Sequence, residues 1–385
     1  MKRKGKKRYV FLYIQAGILS FVGLFIIIGL MTTFLSIRIS ADFMNTALKE
    51  TDSQKVFRYF LASENKYFAA NQNPLEDISI TKLAFQLMTN VKPDDYRTFL
   101  GKEIPGFSEF DTKIEVAGQG TDFTTLPEES SPPMEVLLKE KEISQEMLTE
   151  DSKENKDSNP KPSQTTNGRK VVYLYHTHSW ESFLPLLKNA NTPDDAVSSD
   201  ERVNVIGVGK KLKQNLESKG IGVEQSTVNA TEKLHNRGWN ANQSYRYSRS
   251  LVKEATATNK DLTYAIDIHR DALRKEKTTI NIQGKSYARL VFVIGKANPN
   301  YEENLEFAKK LHKELEKKYP GISRGVLAKG RDAGNGLYNQ DLSKHSILLE
   351  AGGVDNNMQE LDNSMEAFAG VFSDYFWKQN DAEKY

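Results

Sequence analysis

Residues 170–380 of this chain predict an α/β fold, a mainly parallel sheet with helices on both faces, and three observations predict it. The runs Val171–Tyr175, Thr263–Asp267 and Ser346–Leu349 are continuously apolar or nearly so, the pattern of strands buried on both sides. Between them lie segments whose apolar residues recur every three or four positions, the helical period. Strands alternating with helices favour parallel pairing through crossover helices.

The elements ahead of that domain follow in order. Lys2, Arg3, Lys4, Lys6, Lys7 and Arg8 make residues 1–8 a basic tail, and residues 9–37 carry no charge. At about 1.5 Å per helical residue such a stretch exceeds the roughly 20 residues that cross a bilayer. A cleaved leader would have an apolar core of only about 7–15 residues. With the basic cluster in front, a single-pass transmembrane helix is expected in the cell membrane, its N-terminus cytoplasmic and the rest extracytoplasmic. Residues 40–124 place Phe57, Tyr59, Phe60, Tyr67, Phe68 and Leu83–Met88 at helical spacing, which predicts a small helical region. Residues 125–169 shift to Glu, Lys, Ser, Asn and Pro and predict a disordered linker.

Within residues 170–380, a strand at Val171–Tyr175 leads to a helix bearing Val205, Val208, Leu212 and Leu216, closed by Gly220. Extension resumes at Ile221–Val223, a helix is expected over 242–258, and the next strand is Thr263–Asp267. Thr278–Ile282 and Ala288–Ile294 read as a hairpin turning through Gly284-Lys285. A helix over Glu302–Lys318, the strand Ser346–Leu349 and a helix lined by Leu361, Met365, Phe368 and Phe372 complete one domain.

Composition narrows the chemistry. Cysteine is absent, so neither disulfides nor thiolate metal sites hold the fold. Lys and Arg number 53 against 51 Asp and Glu, a net charge of +2 that offers no nucleic-acid surface.

Three segments carry the candidate site: His176-Thr177-His178 with Glu181, Asp267-Ile268-His269-Arg270-Asp271, and Leu349-Glu350-Ala351-Gly352-Gly353. Each stands at the carboxyl end of a predicted strand, the edge where open α/β sheets bind ligands. Imidazoles and carboxylates without cysteine are the ligand set of catalytic zinc (Zn2+). His176, His178, Glu181 and His269 are the candidate ligands, the two paired histidines sharing a face if the strand continues through them. Glu350 is the candidate general base and acid. Asp267, two residues before His269, is placed to orient that imidazole. Arg270 and Asp271 begin the following loop and would contact substrate carboxylates or brace it. His235, His312 and His345 read as packed or solvated imidazoles, and Trp180, Trp239 and Tyr245 as packing aromatics able to stack on sugar or peptide.

His176–Phe183 and Asp267–Ala272 resemble the signatures of the stage II sporulation protein P family, membrane-anchored peptidoglycan hydrolases of endospore-forming bacteria. The resemblance covers residues 170–380. It implies a fold similar to the zinc N-acetylmuramoyl-L-alanine amidases, whose last strand carries a catalytic Glu followed by Gly and Asn, as Glu350, Gly352 and Asn356 are arranged here. In those amidases the glutamate ligand opens the first helix, which points to Glu201, whereas the family motif offers Glu181; both stay open, as do His176 and His178. The implied reaction cleaves the amide between N-acetylmuramic acid and L-alanine during septal wall remodelling at engulfment. The implied partners are peptidoglycan, a glycan hydrolase and a membrane scaffold. A zinc endopeptidase cutting stem peptides or cross-links, and a non-catalytic wall-binding protein, are the competing readings.

Overall fold

The computed structural model describes residues 112–130, 132–139, 141–144, 162–331 and 333–382. Its strands are β1 (Lys113–Ala117), β2 (Lys170–Tyr175), β3 (Gly222–Gln225), β4 (Tyr264–Asp271), β5 (Thr279–Ile282), β6 (Lys285–Ala288), β7 (Leu290–Gly295), β8 (Ser323–Lys329) and β9 (His345–Gly353). Seven of them form one sheet in the order β1-β8-β7-β9-β4-β2-β3, and β5 and β6 pair apart from it. The pairs β2–β3, β2–β4, β4–β9 and β7–β8 are parallel, while β7–β9 and β1–β8 are antiparallel. The expected mainly parallel α/β sheet is therefore present.

The longer helices are α1 (Val205–Ser218), α2 (Ala230–His235), α3 (Ser244–Thr258), α4 (Tyr301–Lys318) and α5 (Met358–Ala382). Asn204 starts α1 by accepting the Ile206 N–H on its side-chain oxygen at 2.9 Å. α1, α4 and α5 bury Val208, Leu212, Leu311, Phe368 and Phe372 against Leu174, Ile266, Phe292, Ile347 and Leu349 on one face of the sheet. On the other face α3 sets Val252 and Ala255 on Tyr173, Tyr175 and Ala265. The rest of that face is closed by Leu126, Tyr245 and Tyr338 over Val291, Val293, Leu327 and Leu348. Both faces are sealed, which is why β2, β4 and β9 read as unbroken apolar runs.

Three local expectations change. β1 lies inside the region read as helical; it is five residues of partial burial and adds an edge strand to β8. Residues 125–169 were expected as linker; among the described ones, Leu126 and Leu137 are buried and join the apolar clusters. A polar segment needs few apolar side chains when each finds a prepared pocket. The expected 278–294 hairpin is shorter: β5 turns through Gln283 and Gly284, both at positive φ, into β6, and β7 returns to the main sheet. The tail 1–8, the span 9–37, residues 40–111 and residues 145–161 lie outside the described residues. Among those described, no helix is long and apolar enough to cross a membrane.

Candidate metal centre

β2 ends at Tyr175, and Thr177–Trp180 form a turn closed by Glu181 N–H donating to His178 O at 3.0 Å. That turn brings His178 and Glu181 together, and β4 presents His269 beside them. One ligand atom from each of His178, Glu181 and His269 lies within 4.8 Å of the others, the one such group among the described residues. The Glu181 carboxylate bridges the pair: Oε1 is 3.2 Å from His178 Nδ1 and Oε2 is 3.5 Å from His269 Nδ1. Oε2 also accepts the Arg270 N–H at 2.9 Å, which fixes the carboxylate plane.

The cluster is dry and strongly polar, with His178 2 % and Glu181 and His269 0 % exposed. Burial alone would raise the Glu181 carboxyl, but His269 and His178 outweigh it and hold it far below the usual range. Burial pushes His269 down, but the Asp267 and Glu181 carboxylates outweigh it and raise the imidazole well above its ordinary value. Although His269 Nε2 stands 3.1 Å from Asp267 Oδ1, neither ring nitrogen makes a well-directed hydrogen bond. A buried imidazole left so, facing a second imidazole and a carboxylate, fits a divalent cation better than it fits an ion pair.

Asp267 is held from behind. Its Oδ1 accepts the Thr177 N–H at 2.9 Å and its Oδ2 the Thr177 hydroxyl at 2.6 Å. The Thr177 and Ser248 hydroxyls are linked at 2.7 Å, and Asn339 Nδ2 donates to Ser248 at 2.9 Å. This chain ties β2, α3 and the loop before β9 to the carboxylate nearest His269. Aromatic rings pack around the cluster: Trp180 stacks on His178 at 4.8 Å, and Tyr245 lies edge-on to His178 at 5.5 Å and parallel to His269 at 6.2 Å.

Glu350 on β9 stands in register with His269 on β4, so both side chains leave the same face. It is 2 % exposed and its Oε2 has no hydrogen-bond partner. Burial drives its carboxyl well above the ordinary value, with His269 opposing and Glu181, Asp271 and Glu129 reinforcing the rise. Gly352 at φ 69° then turns the chain, and a Cβ there would lie 2.5 Å from Asn356 Oδ1.

Other candidates stand elsewhere. Because β2 stops at Tyr175, His176 and His178 do not share a face. His176 turns toward α1 and the neighbouring strands: Nδ1 is 3.4 Å from Ile268 O, and Nε2 is 3.1 Å from Gln225 Nε2, which also donates to Ile206 O. A carbonyl only accepts, so Nδ1 carries the proton and Nε2 accepts. Burial pushes this imidazole down to about 4. Only a glycine fits above it, since a Cβ at Gly209 would lie 2.6 Å from His176 Cε1. Glu201 is outside the cluster and pairs with Lys210 at 2.5 Å near the surface. The Asp271 carboxylate is fully engaged, by Arg324 Nη1 and by the Glu128 and Leu273 N–H groups at 3.1 and 2.9 Å. Arg270 is buried, donating to Ala196 O at 3.2 Å, so it supports the turn from beneath. His312 bonds Ser323 Oγ at 2.7 Å, His345 packs on Tyr264 at 4.8 Å, and His235 is exposed. Thr177 stood in the first motif without a role of its own, and Ser248, Asn339 and Glu129 were not singled out by sequence; the roles of all four depend on contacts distant along the chain.

The chain thus has a doubly covered, mainly parallel sheet with a His-Glu-His group at its carboxyl edge. Residues 94–373 match the family described as Stage II sporulation protein P. A stage II sporulation protein P of Bacillus subtilis (strain 168) is 43 % identical over 399 residues, covering 100 % of this chain and 97 % of the relative. The chain belongs to the stage II sporulation protein P family. Among solved structures, the CwlD amidase of Clostridioides difficile in complex with the GerS lipoprotein aligns at 18 % identity and TM-score 0.37, over 56 % of this chain and 100 % of that one. An N-acetylmuramoyl-L-alanine amidase of Clostridium difficile 630 aligns at 12 % identity and TM-score 0.33, over 56 % and 98 %.

Proposed function

We propose that this protein is a zinc-dependent N-acetylmuramoyl-L-alanine amidase that cleaves peptidoglycan between N-acetylmuramic acid and the stem peptide. The observation that carries the reading is the convergence of His178, Glu181 and His269 beside Glu350, whose Oε2 has no hydrogen-bond partner. In this reading those three residues would hold the cation, which when bound would supply an activated water and polarise the amide carbonyl. Asp267 orients His269, and Thr177 and Ser248 orient Asp267. Glu350 accepts the proton of the attacking water and returns it to the departing amide nitrogen as the C–N bond breaks. Trp180 and Tyr245, packed on the imidazoles, shield the cluster from competing water. Residues 9–37 would anchor the enzyme in the cell membrane with this domain outside, acting on septal wall with a glycan hydrolase and a membrane scaffold.

Muropeptide mass spectrometry after digestion by the metal-loaded protein tests the reaction. The expected products are free stem peptides with an L-alanine amino terminus and intact glycan strands. If new amino termini arise only at cross-links, the endopeptidase reading replaces this one.

Two results bear on the ligand set. His269→Ala is expected to lose both the cation and turnover, because two remaining ligands bind weakly. By contrast, His176→Gln should keep about one cation per chain by elemental analysis, since its imidazole serves Ile268 and Gln225. Loss of the cation in the His176 variant, with its fold intact, would return that residue to the ligand set. Removing the cation with a chelator should abolish hydrolysis, and re-addition should restore it.

A further inference from the structure

Between β1 and the one-turn helix Met134–Leu137, the chain crosses the sheet face that carries the cluster. Residues 126–130 have no regular secondary structure, yet they are fastened at many points. Arg324 Nη2 donates to Thr125 O, and Lys329 Nζ donates to Pro127 O at 3.1 Å. Glu128 is gripped through its backbone: its N–H donates to Asp271 Oδ1 at 3.1 Å and its carbonyl accepts the Ala272 N–H at 2.9 Å. The Leu126 side chain, 4 % exposed, is seated with Tyr245, Tyr338 and Leu348. Glu129 Oε1 then lies 3.4 Å from the hydroxyl of Tyr245, the ring that packs against both imidazoles of the cluster.

This is the pattern by which a protein binds an acidic peptide. Main-chain donor and acceptor are both read at the end of β4, one apolar side chain fills a pocket, and a carboxylate meets a buried hydroxyl. The cluster beneath is almost fully buried, so a peptide tied to a glycan strand reaches it only if something moves. Residues 125–130 lie across this face without being part of the β2–β9 framework, and the helix that follows them sets Leu137 in one cluster with Trp180.

We propose that residues 125–130 are a built-in pseudosubstrate: they occupy the peptide arm of the substrate groove, and Glu129 stands where a carboxylate of the acidic stem peptide meets Tyr245. The identity of the ligand rests on the amidase reading; the competition between strap and acidic peptide does not. Tyr245 is then a substrate-binding residue, and the strap lowers apparent affinity by the fraction of molecules in which it is closed.

The test uses the full-length, metal-loaded protein. Amide hydrogen exchange at Glu128 and Ala272 is followed with and without a saturating soluble stem peptide carrying free carboxylates. Faster exchange is expected with that peptide, and a smaller effect when its carboxylates are amidated. The variants Glu129→Gln and Leu126→Ala/Glu129→Ala should bind the acidic peptide more tightly, about tenfold for the double variant if the strap is closed in roughly nine molecules of ten. Tyr245→Phe should bind it more weakly and lose the distinction between free and amidated peptide. Unchanged exchange, with unchanged or weaker binding by Glu129→Gln, overturns the proposal. Strap release by a soluble N-acetylmuramoyl peptide whose lactyl amide is then not cleaved leaves the pseudosubstrate standing and removes the amidase reading instead.

Discussion

Replacing Glu350 by glutamine is expected to lower turnover about 10²–10⁴-fold, the usual worth of a placed general base, while the protein keeps about one cation per chain. Glutamine conserves volume and fills the same pocket, so the change removes little but the capacity to hold a proton. The position makes that capacity matter. Glu350 sits in register with His269, one strand from the candidate cluster, and its Oε2 has no hydrogen-bond partner. Burial raises the carboxyl above its ordinary value, the direction that suits a group which must both take up and return a proton. Steady-state hydrolysis of soluble muropeptides together with elemental analysis separates the outcomes. Near wild-type turnover removes Glu350 from proton transfer, and loss of the cation would make it a ligand instead.

How far the sequence shows all this depends on where each residue finds its partner. β2, β4 and β9 are legible because both faces of the sheet are covered and nearly every position is apolar. β8 is not, since Arg324 and Lys329 interrupt it with charge and are buried only because Thr125, Pro127 and Asp271 meet them from far along the chain. The site follows the same division. His178, Glu181, His269 and Glu350 were visible as polar residues closing apolar strands. The choice between His176 and His178 was not, because it turns on β2 stopping at Tyr175; a strand continued through both would have put them on one face. Glu201 and Glu181 differ in the same way: one reaches Lys210 at the surface, the other lies between two imidazoles. Within the stretch 125–169 read as linker, the burial of Leu126 and Leu137 was not legible for a different reason. Composition measures average apolar content, whereas two leucines and a run of backbone hydrogen bonds suffice to dock a segment on a face already built.

Arg324→Ala is expected to cost about 3–5 kcal/mol of stability, the usual penalty for stranding one partner of a buried ion pair. At about 2–4 °C per kcal/mol for a domain of this size, the thermal midpoint should fall by roughly 10 °C. Arg324 and Asp271 are 2 % and 0 % exposed as side chains, so neither charge finds water when the other is removed. Asp271 would keep the Glu128 and Leu273 N–H donors but lose its only full counter-charge among the described contacts, while Thr125 O would lose its donor as well. The control is Arg324→Met with Asp271→Asn. It removes both charges, keeps similar volume and leaves an oxygen to accept the two N–H groups, so most of the lost stability should return. Calorimetry on the single and double variants decides the matter. If Arg324→Ala melts within about 2 °C of wild type, the pair is not what joins β8 to the end of β4. If the single variant is destabilised and the double is not rescued, the loss lies in the packing of the arginine stem or in the freed Thr125 carbonyl, and the charge pair is secondary.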